Sequence, residues 1–326
     1  MGPPCAYLDT NICSCYLFTH RDGNFNVTSK RQFIEIQAKS ILNRVEGMPF
    51  RWSINPYRGC SNACPFCYAR RTHWFLDEDG IDQWATKIFV KINAAEVLRR
   101  ELARPTWKRE VVALGTATDP YQAIEGKYKV TRQILESLCE YRTPVSIVTR
   151  SPMIIRDIDV LRKLARRAGV TVCVSIATTD LDIAREIEPA VAPPAQRLRT
   201  VKALSSAGIR TGVLLAPILP GITDDPKSLE AVVEAAQNYH AHFVWHNVLH
   251  LGNVTRDSFM RYLREHRPDL LGLYGQMYRG KYAPQAYRTR ISGLVAVHKS
   301  RHEIAEPRYI EPPREPEQIS LLNTAG

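Results

Sequence analysis

Cys60-Ser61-Asn62-Ala63-Cys64-Pro65-Phe66-Cys67 decides how this chain is read. Closed zinc sites and most iron–sulfur clusters take four protein ligands, zinc usually from two separated pairs. Here three cysteines share one short segment, and the next cysteine downstream is Cys139. A cubane [4Fe-4S] cluster held by three thiolates keeps one iron open. An open iron can bind a small molecule and pass it an electron, so the triplet points to chemistry rather than to a closed structural site. A zinc site completed by His73 or a distant cysteine, or three buried thiols, are the other readings of the same residues. Gly59 and Pro65 suit a tight loop leaving a strand, where backbone N–H groups approach the sulfurs.

Outward from the triplet, strand and helix patterns alternate. Apolar, β-rich runs at 50–54, 110–116, 145–149, 170–176, 210–218 and 243–251 predict six core strands. Helical spacing recurs between them. Ile158, Leu161, Leu164 and Ala165 share one face, and Gly169 ends that helix. Pro194 opens another that Gly208 closes, and Thr223-Asp224-Asp225 starts a third at Pro226. Helices are also expected over 130–142 and 257–265, with an inserted strand at 87–92 and a helix at 94–104. Alternation of this kind predicts an α/β fold of parallel strands joined by right-handed crossovers, with apolar strands covered on both faces. The core is expected over 50–255. Residues 1–49 read as an N-terminal extension carrying Cys5, Cys13 and Cys15. Residues 256–326 read as a basic, helical to irregular region with a Pro/Glu-rich end.

The C-x3-C-x2-C spacing, with Phe66 before the last cysteine, resembles the signature of the radical S-adenosylmethionine (SAM) superfamily. Asn55-Pro56-Tyr57-Arg58-Gly59-Cys60, Cys67-Tyr68-Ala69-Arg70 and Gly115-Thr116-Ala117-Thr118-Asp119-Pro120-Tyr121-Gln122 resemble its spore photoproduct lyase-like group. The resemblance covers about residues 33–255. It implies a partial (β/α)6 barrel whose Cys60, Cys64 and Cys67 ligate a [4Fe-4S] cluster. It also implies SAM chelated to the open iron and split on reduction into methionine and a deoxyadenosyl radical. By the same resemblance Phe66 lies beside the adenine, and Thr116 and Asp119 lie near the methionine amine. Arg150 would meet the carboxylate or ribose, and Ser175 the ribose hydroxyls. An electron donor such as flavodoxin or ferredoxin, and a lyase-like reaction on a DNA lesion or modified base, complete the implication.

One departure bears on the substrate. The lyase uses a cysteine some forty residues after its cluster as hydrogen donor, but Thr106-Trp107-Lys108-Arg109-Glu110 holds none. Cys173, within a core strand, is the candidate donor; a buried small side chain is the alternative reading for it and for Cys139.

With 44 basic and 33 acidic residues the net charge is +11, which favours a polyanionic partner such as nucleic acid. Arginine on solvated helix faces is the other account of that charge. Residues 256–290 interleave Arg256, Arg261, Arg264, Arg267, Arg279, Lys281, Arg288 and Arg290 with Tyr274, Tyr278, Tyr282 and Tyr287. Cations with aromatic faces suit phosphates and unstacked bases, whereas tyrosines packed on the barrel would produce the same pattern. No run is long and apolar enough for a membrane span or a secretory signal, and a cysteine-ligated cluster needs reducing conditions, so a cytoplasmic protein without membrane contact is expected. A small-molecule or peptide substrate, and a non-enzymatic metal module that binds nucleic acid, remain the rival functions.

Overall fold

The computed structural model describes residues 31–73 and 83–304. Cys5, Cys13, Cys15 and the Pro/Glu-rich end lie outside the described residues, as does the side chain of His73. The strands are β1 (Gln32–Ile36), β2 (Asn43–Arg44), β3 (Trp52–Ile54), β4 (Tyr57–Arg58), β5 (Lys87–Lys91), β6 (Val112–Leu114), β7 (Val145–Thr149), β8 (Val170–Ser175), β9 (Arg210–Ile218) and β10 (Val244–Val248). The helices are α1 (Ala94–Leu102), α2 (Glu125–Tyr128), α3 (Val130–Glu140), α4 (Ile158–Arg167), α5 (Leu181–Ile187), α6 (Pro194–Ser206), α7 (Pro226–Asn238), α8 (Asn253–His266), α9 (Leu271–Met277) and α10 (Gln285–Arg301).

The main sheet runs β10-β9-β8-β7-β6-β3-β2. Its six strands from β3 to β10 are parallel and lie in chain order, and β2 adds antiparallel to β3. These are the six expected core strands, joined by helices as in a partial (β/α)6 barrel. A smaller sheet, β1-β5-β4, lies beside the cysteine loop, with β1 parallel and β4 antiparallel to β5. Beyond β10, α8 packs on the 3-10 turn at Tyr68–His73 that follows the loop, so segments following the two ends of the parallel run touch each other.

Local chemistry explains where the helices begin and end. Asp225 accepts from the Lys227 and Ser228 N–H groups, both at 3.1 Å, and Pro226 fills the first turn of α7. Asp180 caps α5 in the same way, at 2.9 Å from the Asp182 and Ile183 N–H groups. Gly169 and Gly208, both at positive φ, follow α4 and α6.

The register sorts side chains between two faces. Val172, Val174, Val213, Leu215 and Val244 are buried in the core shared with the outer helices. Opposite them, Cys173 pairs with Gly212, and Ser175 pairs with Leu214, which pairs with Trp245. This second set lines the inside of the barrel. Phe243 covers its lower part: its ring lies 2.4 Å from where a Gly212 Cβ would stand, so β9 passes there only as glycine.

Among the described residues, the C-terminal basic region is largely helical. In α10, Ile291, Val295 and His298 are buried, and the helix packs on α7 and β10.

Candidate active site

The cysteine loop leaves β4 through Gly59 at φ +85°. A Cβ there would stand 2.8 Å from the Lys87 carbonyl and 2.9 Å from that of Trp84, so close backbone approach and positive φ both require glycine. The Cys60 N–H donates to Trp84 O at 3.2 Å. Arg70 donates to the Ala63 and Cys64 carbonyls, each at 3.1 Å, with its guanidinium 5.2 Å from the Trp84 ring centroid. Cys60 and Cys64 are buried, and Cys67 is half-buried. Burial pushes all three thiols up, Cys60 to about 12 with the Asp119 charge adding to it. A neutral thiol is a poor ligand, and bound iron supplies the positive charge that takes its proton.

The donor set fits a cubane cluster better than a single ion. Among the described residues no group of three or more His, Cys, Asp or Glu side chains is gathered closely enough to hold one metal ion. A cubane puts each thiolate on a different iron and needs no such convergence.

The two sequence motifs bind each other at the carboxyl ends of β3 and β6. Asn55 donates to the Thr116 hydroxyl at 3.2 Å and accepts from the Ala117 N–H at 2.8 Å. Gln122 accepts from the Ser61 N–H at 2.9 Å and donates to Thr118 at 3.0 Å, while Thr118 donates to Gly59 O at 2.7 Å. Tyr68 donates to the Thr116 carbonyl. The buried Asp119 carboxylate accepts from Tyr121 N at 2.9 Å, Thr149 Oγ1 at 2.7 Å, Arg150 N at 2.8 Å and Asn62 Nδ2 at 3.1 Å. Four donors fill the four lone-pair directions of a carboxylate, so Asp119 fastens the loop to the end of β7.

Arg150 follows β7, its guanidinium 5.9 Å from the Phe66 ring centroid. It pairs with Glu188 at 2.7 Å, and Arg197 takes the other carboxylate oxygen at 2.7 Å. Burial raises the Glu188 carboxyl, but Arg197 and Arg150 outweigh it and hold its pKa below the usual value. Burial likewise acts against the Arg150 charge, and Glu188 together with Cys64 and Cys67 more than offsets it. Arg197 also donates to Ser175 O at 2.7 Å, and the Ser175 hydroxyl donates to Ala216 O at 3.0 Å.

Phe66, Thr116, Asp119 and Arg150 thus lie together with the three cysteines at the mouth, and Ser175 joins them through Arg197 and Glu188. Cys173 points inward one layer below Ser175 but is fully buried, and burial raises its thiol. Of the four tyrosines expected to alternate with cations, Tyr274 and Tyr278 are buried and stacked, and Tyr287 donates to Asp224. Tyr282 is 51% exposed, with Lys281 Nζ 5.0 Å from its ring centroid. Sequence reasoning missed Glu188, Arg197 and Trp245. It quoted Asn55 and Gln122 within motifs without assigning them a role.

The radical SAM superfamily model matches residues 54–236, from the end of β3 into α7. The chain belongs to the radical SAM superfamily. It is an enzyme of that superfamily, whose members use a [4Fe-4S] cluster and SAM. An uncharacterized protein of Mycobacterium tuberculosis is 39% identical over 285 residues, covering 86% of this chain and 84% of the relative. One from Methanocaldococcus jannaschii is 26% identical over 244 residues, covering 74% and 86%. A spore photoproduct lyase complexed with dinucleoside spore photoproduct is similar in fold. Its TM-score is 0.64 at 11% identity, with 83% of this chain and 79% of that one covered. The barrel and the superfamily expected from the cysteine triplet and its flanks are borne out. Among the described residues no helix is long and apolar enough to cross a membrane.

Proposed function

We propose that Cys60, Cys64 and Cys67 hold a [4Fe-4S] cluster with one iron left to SAM, and that the enzyme acts on a lesion or modified base in nucleic acid. The observation that carries the reading is the loop itself: three cysteines on one eight-residue segment, with Asn55, Asp119 and Gln122 tying that segment to the strand ends where ligands bind in parallel α/β folds. When bound, the cluster supplies the electron that splits SAM into methionine and a deoxyadenosyl radical.

The chain's own residues provide position and shelter. Phe66 and Arg150 form one wall of the SAM site, with Glu188 fixing the guanidinium. Thr116 follows β6 and Ser175 ends β8, two strands away, so their hydroxyls stand on either side of β7. Asp119 holds the loop against β7 and leaves the methionine amine to other acceptors, because its own lone pairs are taken. Cys173 serves as hydrogen donor only when the Phe243 layer beside it opens. A cytoplasmic, reducing setting and an electron donor such as flavodoxin or ferredoxin complete the reading.

The test is anaerobic reconstitution followed by dithionite and SAM. Four irons per chain, loss of the cluster in Cys60→Ala, Cys64→Ala and Cys67→Ala, and deoxyadenosine release support it. A protein without the cluster, or with a fourth protein ligand closing the last iron, refutes it. Burial of Tyr274 and Tyr278 favours a second reading, a small-molecule or peptide substrate. Nucleic-acid binding that falls steeply with salt excludes that alternative.

A further inference from the structure

The inner wall of β10 is unlike the rest of the barrel lining. His246 Nε2 lies 3.0 Å from the Ser292 hydroxyl on α10, so His246 faces the outer helix layer. Alternation along the strand then turns Trp245 and Asn247 inward. Three further observations agree. Trp245 pairs with Leu214, which pairs with Ser175 at the mouth. Phe243, two residues before Trp245, covers the inner face of Gly212, and the two rings are 4.9 Å apart. Neither ring belongs to the core shared with the outer helices.

Below this level the lining is filled: Phe243 and Cys173 are fully buried, and the Arg210 guanidinium sits 5.1 Å from the Phe243 ring centroid. At the level of Ser175 it opens. Trp245 is 38% exposed and Asn247 is exposed, although both lie on the concave side of a parallel sheet. An indole left open in that place is a surface for a flat ring. A neighbouring amide, which both donates and accepts, suits the edge of such a ring.

Charge at the mouth narrows the ligand further. His250 lies just past β10, stacked on Tyr282 at 4.8 Å between ring centroids. Arg71, behind the cysteine loop, and Lys281 are exposed, and both act on this imidazole. Both cations act at His250, one from the turn that follows the cysteine loop and one from the segment bridged to His250. Positive charge from both elements suits phosphate groups.

We infer that Trp245 is the stacking platform for an unpaired nucleobase, with Asn247 on the base edge and Arg71 and Lys281 on the flanking phosphates. This rests on the nucleic-acid reading above and names the residues that select the substrate. It places a base on the wall two strands from Ser175, in the same layer, and so alongside the SAM site.

The experiment uses the full chain, anaerobically reconstituted, with a fluorescein-labelled single-stranded oligodeoxynucleotide and its duplex as probes. Anisotropy gives affinity as a function of salt, and equilibrium dialysis gives SAM affinity. Trp245→Ala is expected to weaken single-strand binding roughly tenfold, more than any change in SAM affinity, and Trp245→Phe to restore most of it. Arg71→Ala and Lys281→Ala each lower the salt slope by about one. Thermal melts exclude misfolding, and Trp245→Phe keeps the test valid if the alanine variant does not fold. The inference is overturned if Trp245→Ala binds the strand as tightly as the wild type, or if it loses SAM affinity to the same extent. A wild type that releases deoxyadenosine yet binds no oligonucleotide also overturns it and leaves the radical SAM reading standing. A wild type that binds the strand but holds no cluster does the reverse.

Discussion

Replacing Glu188 tests the idea that a buried charge triad holds the mouth in shape. The carboxylate side chain is 1% exposed and bridges two guanidiniums at 2.7 Å each. Glu188→Ala strands both cations unequally. Arg150 is 21% exposed and can turn toward water. Arg197 is 1% exposed, keeps only its bond to Ser175 O, and its Nε has no partner among the described residues. Breaking a buried pair by removing one partner costs about 3–5 kcal/mol, and one trapped cation out of two places this case near 3. A chain of 326 residues loses about 1.5 °C of Tm per kcal/mol, so a fall of roughly 4–5 °C is expected by circular dichroism. Freed from its anchor, Arg150 no longer keeps its place beside Phe66, and the KM for SAM rises more than kcat falls. The double variant Glu188→Ala/Arg197→Met removes the trapped charge and recovers part of the lost Tm. A fall of less than about 2 °C in the single variant, or a double variant no better than the single, refutes the reasoning.

Three further outcomes are expected. Gly59→Ala puts a methyl group 2.8 Å from the Lys87 carbonyl at φ +85°, which costs more than the roughly 1–2 kcal/mol of left-handed strain alone. Its iron content after reconstitution falls below half that of the wild type, and an unchanged iron assay contradicts this. Asp119→Asn puts an NH2 in place of one oxygen, either the one that accepts from Asn62 and Arg150 N or the one that accepts from Thr149 and Tyr121 N, at about 1–3 kcal/mol for each group left unsatisfied; faster iron loss to a chelator is the measured consequence. Lys91 donates to Asn55 O at 2.8 Å, and burial, reinforced by Arg58, lowers its pKa from 10.5 to about 8. Between those values the unfolded chain keeps a proton that the folded one gives up, so the Lys91 contribution to stability rises with pH through that window. The Tm of Lys91→Met relative to wild type is therefore more favourable at pH 7 than at pH 10. A constant difference shows that Lys91 does not titrate there.

What the sequence reveals depends on how local the physics is. Caps, apolar spacing and glycine stops act within a few residues, so β5, the six parallel core strands and the helices after Asp157, Pro193 and Asp225 can be read directly. The cysteine loop is legible for the same reason: its chemistry is written in eight consecutive residues. The bonds from Asn55 to Thr116 and from Gln122 to Ser61 join segments about sixty residues apart, and no spacing rule connects them. Glu188 is hidden by a different cause. Glutamate and arginine are ordinarily surface residues, so a run such as Arg185-Glu186-Ile187-Glu188 reads as solvated until three dimensions bring Arg150 and Arg197 to it. The tyrosines show the converse error. A string of aromatics among cations suggests a binding face, yet Tyr274 and Tyr278 are buried against each other and Tyr282 faces solvent. Trp245 stayed invisible because an aromatic ring in a strand reads equally well as core or as cavity lining, and composition carries no mark of which face is left open. The register supplied that mark: His246 bonded outward to Ser292 fixes its neighbour inward, and the open side of the barrel becomes the place where a substrate ring can rest.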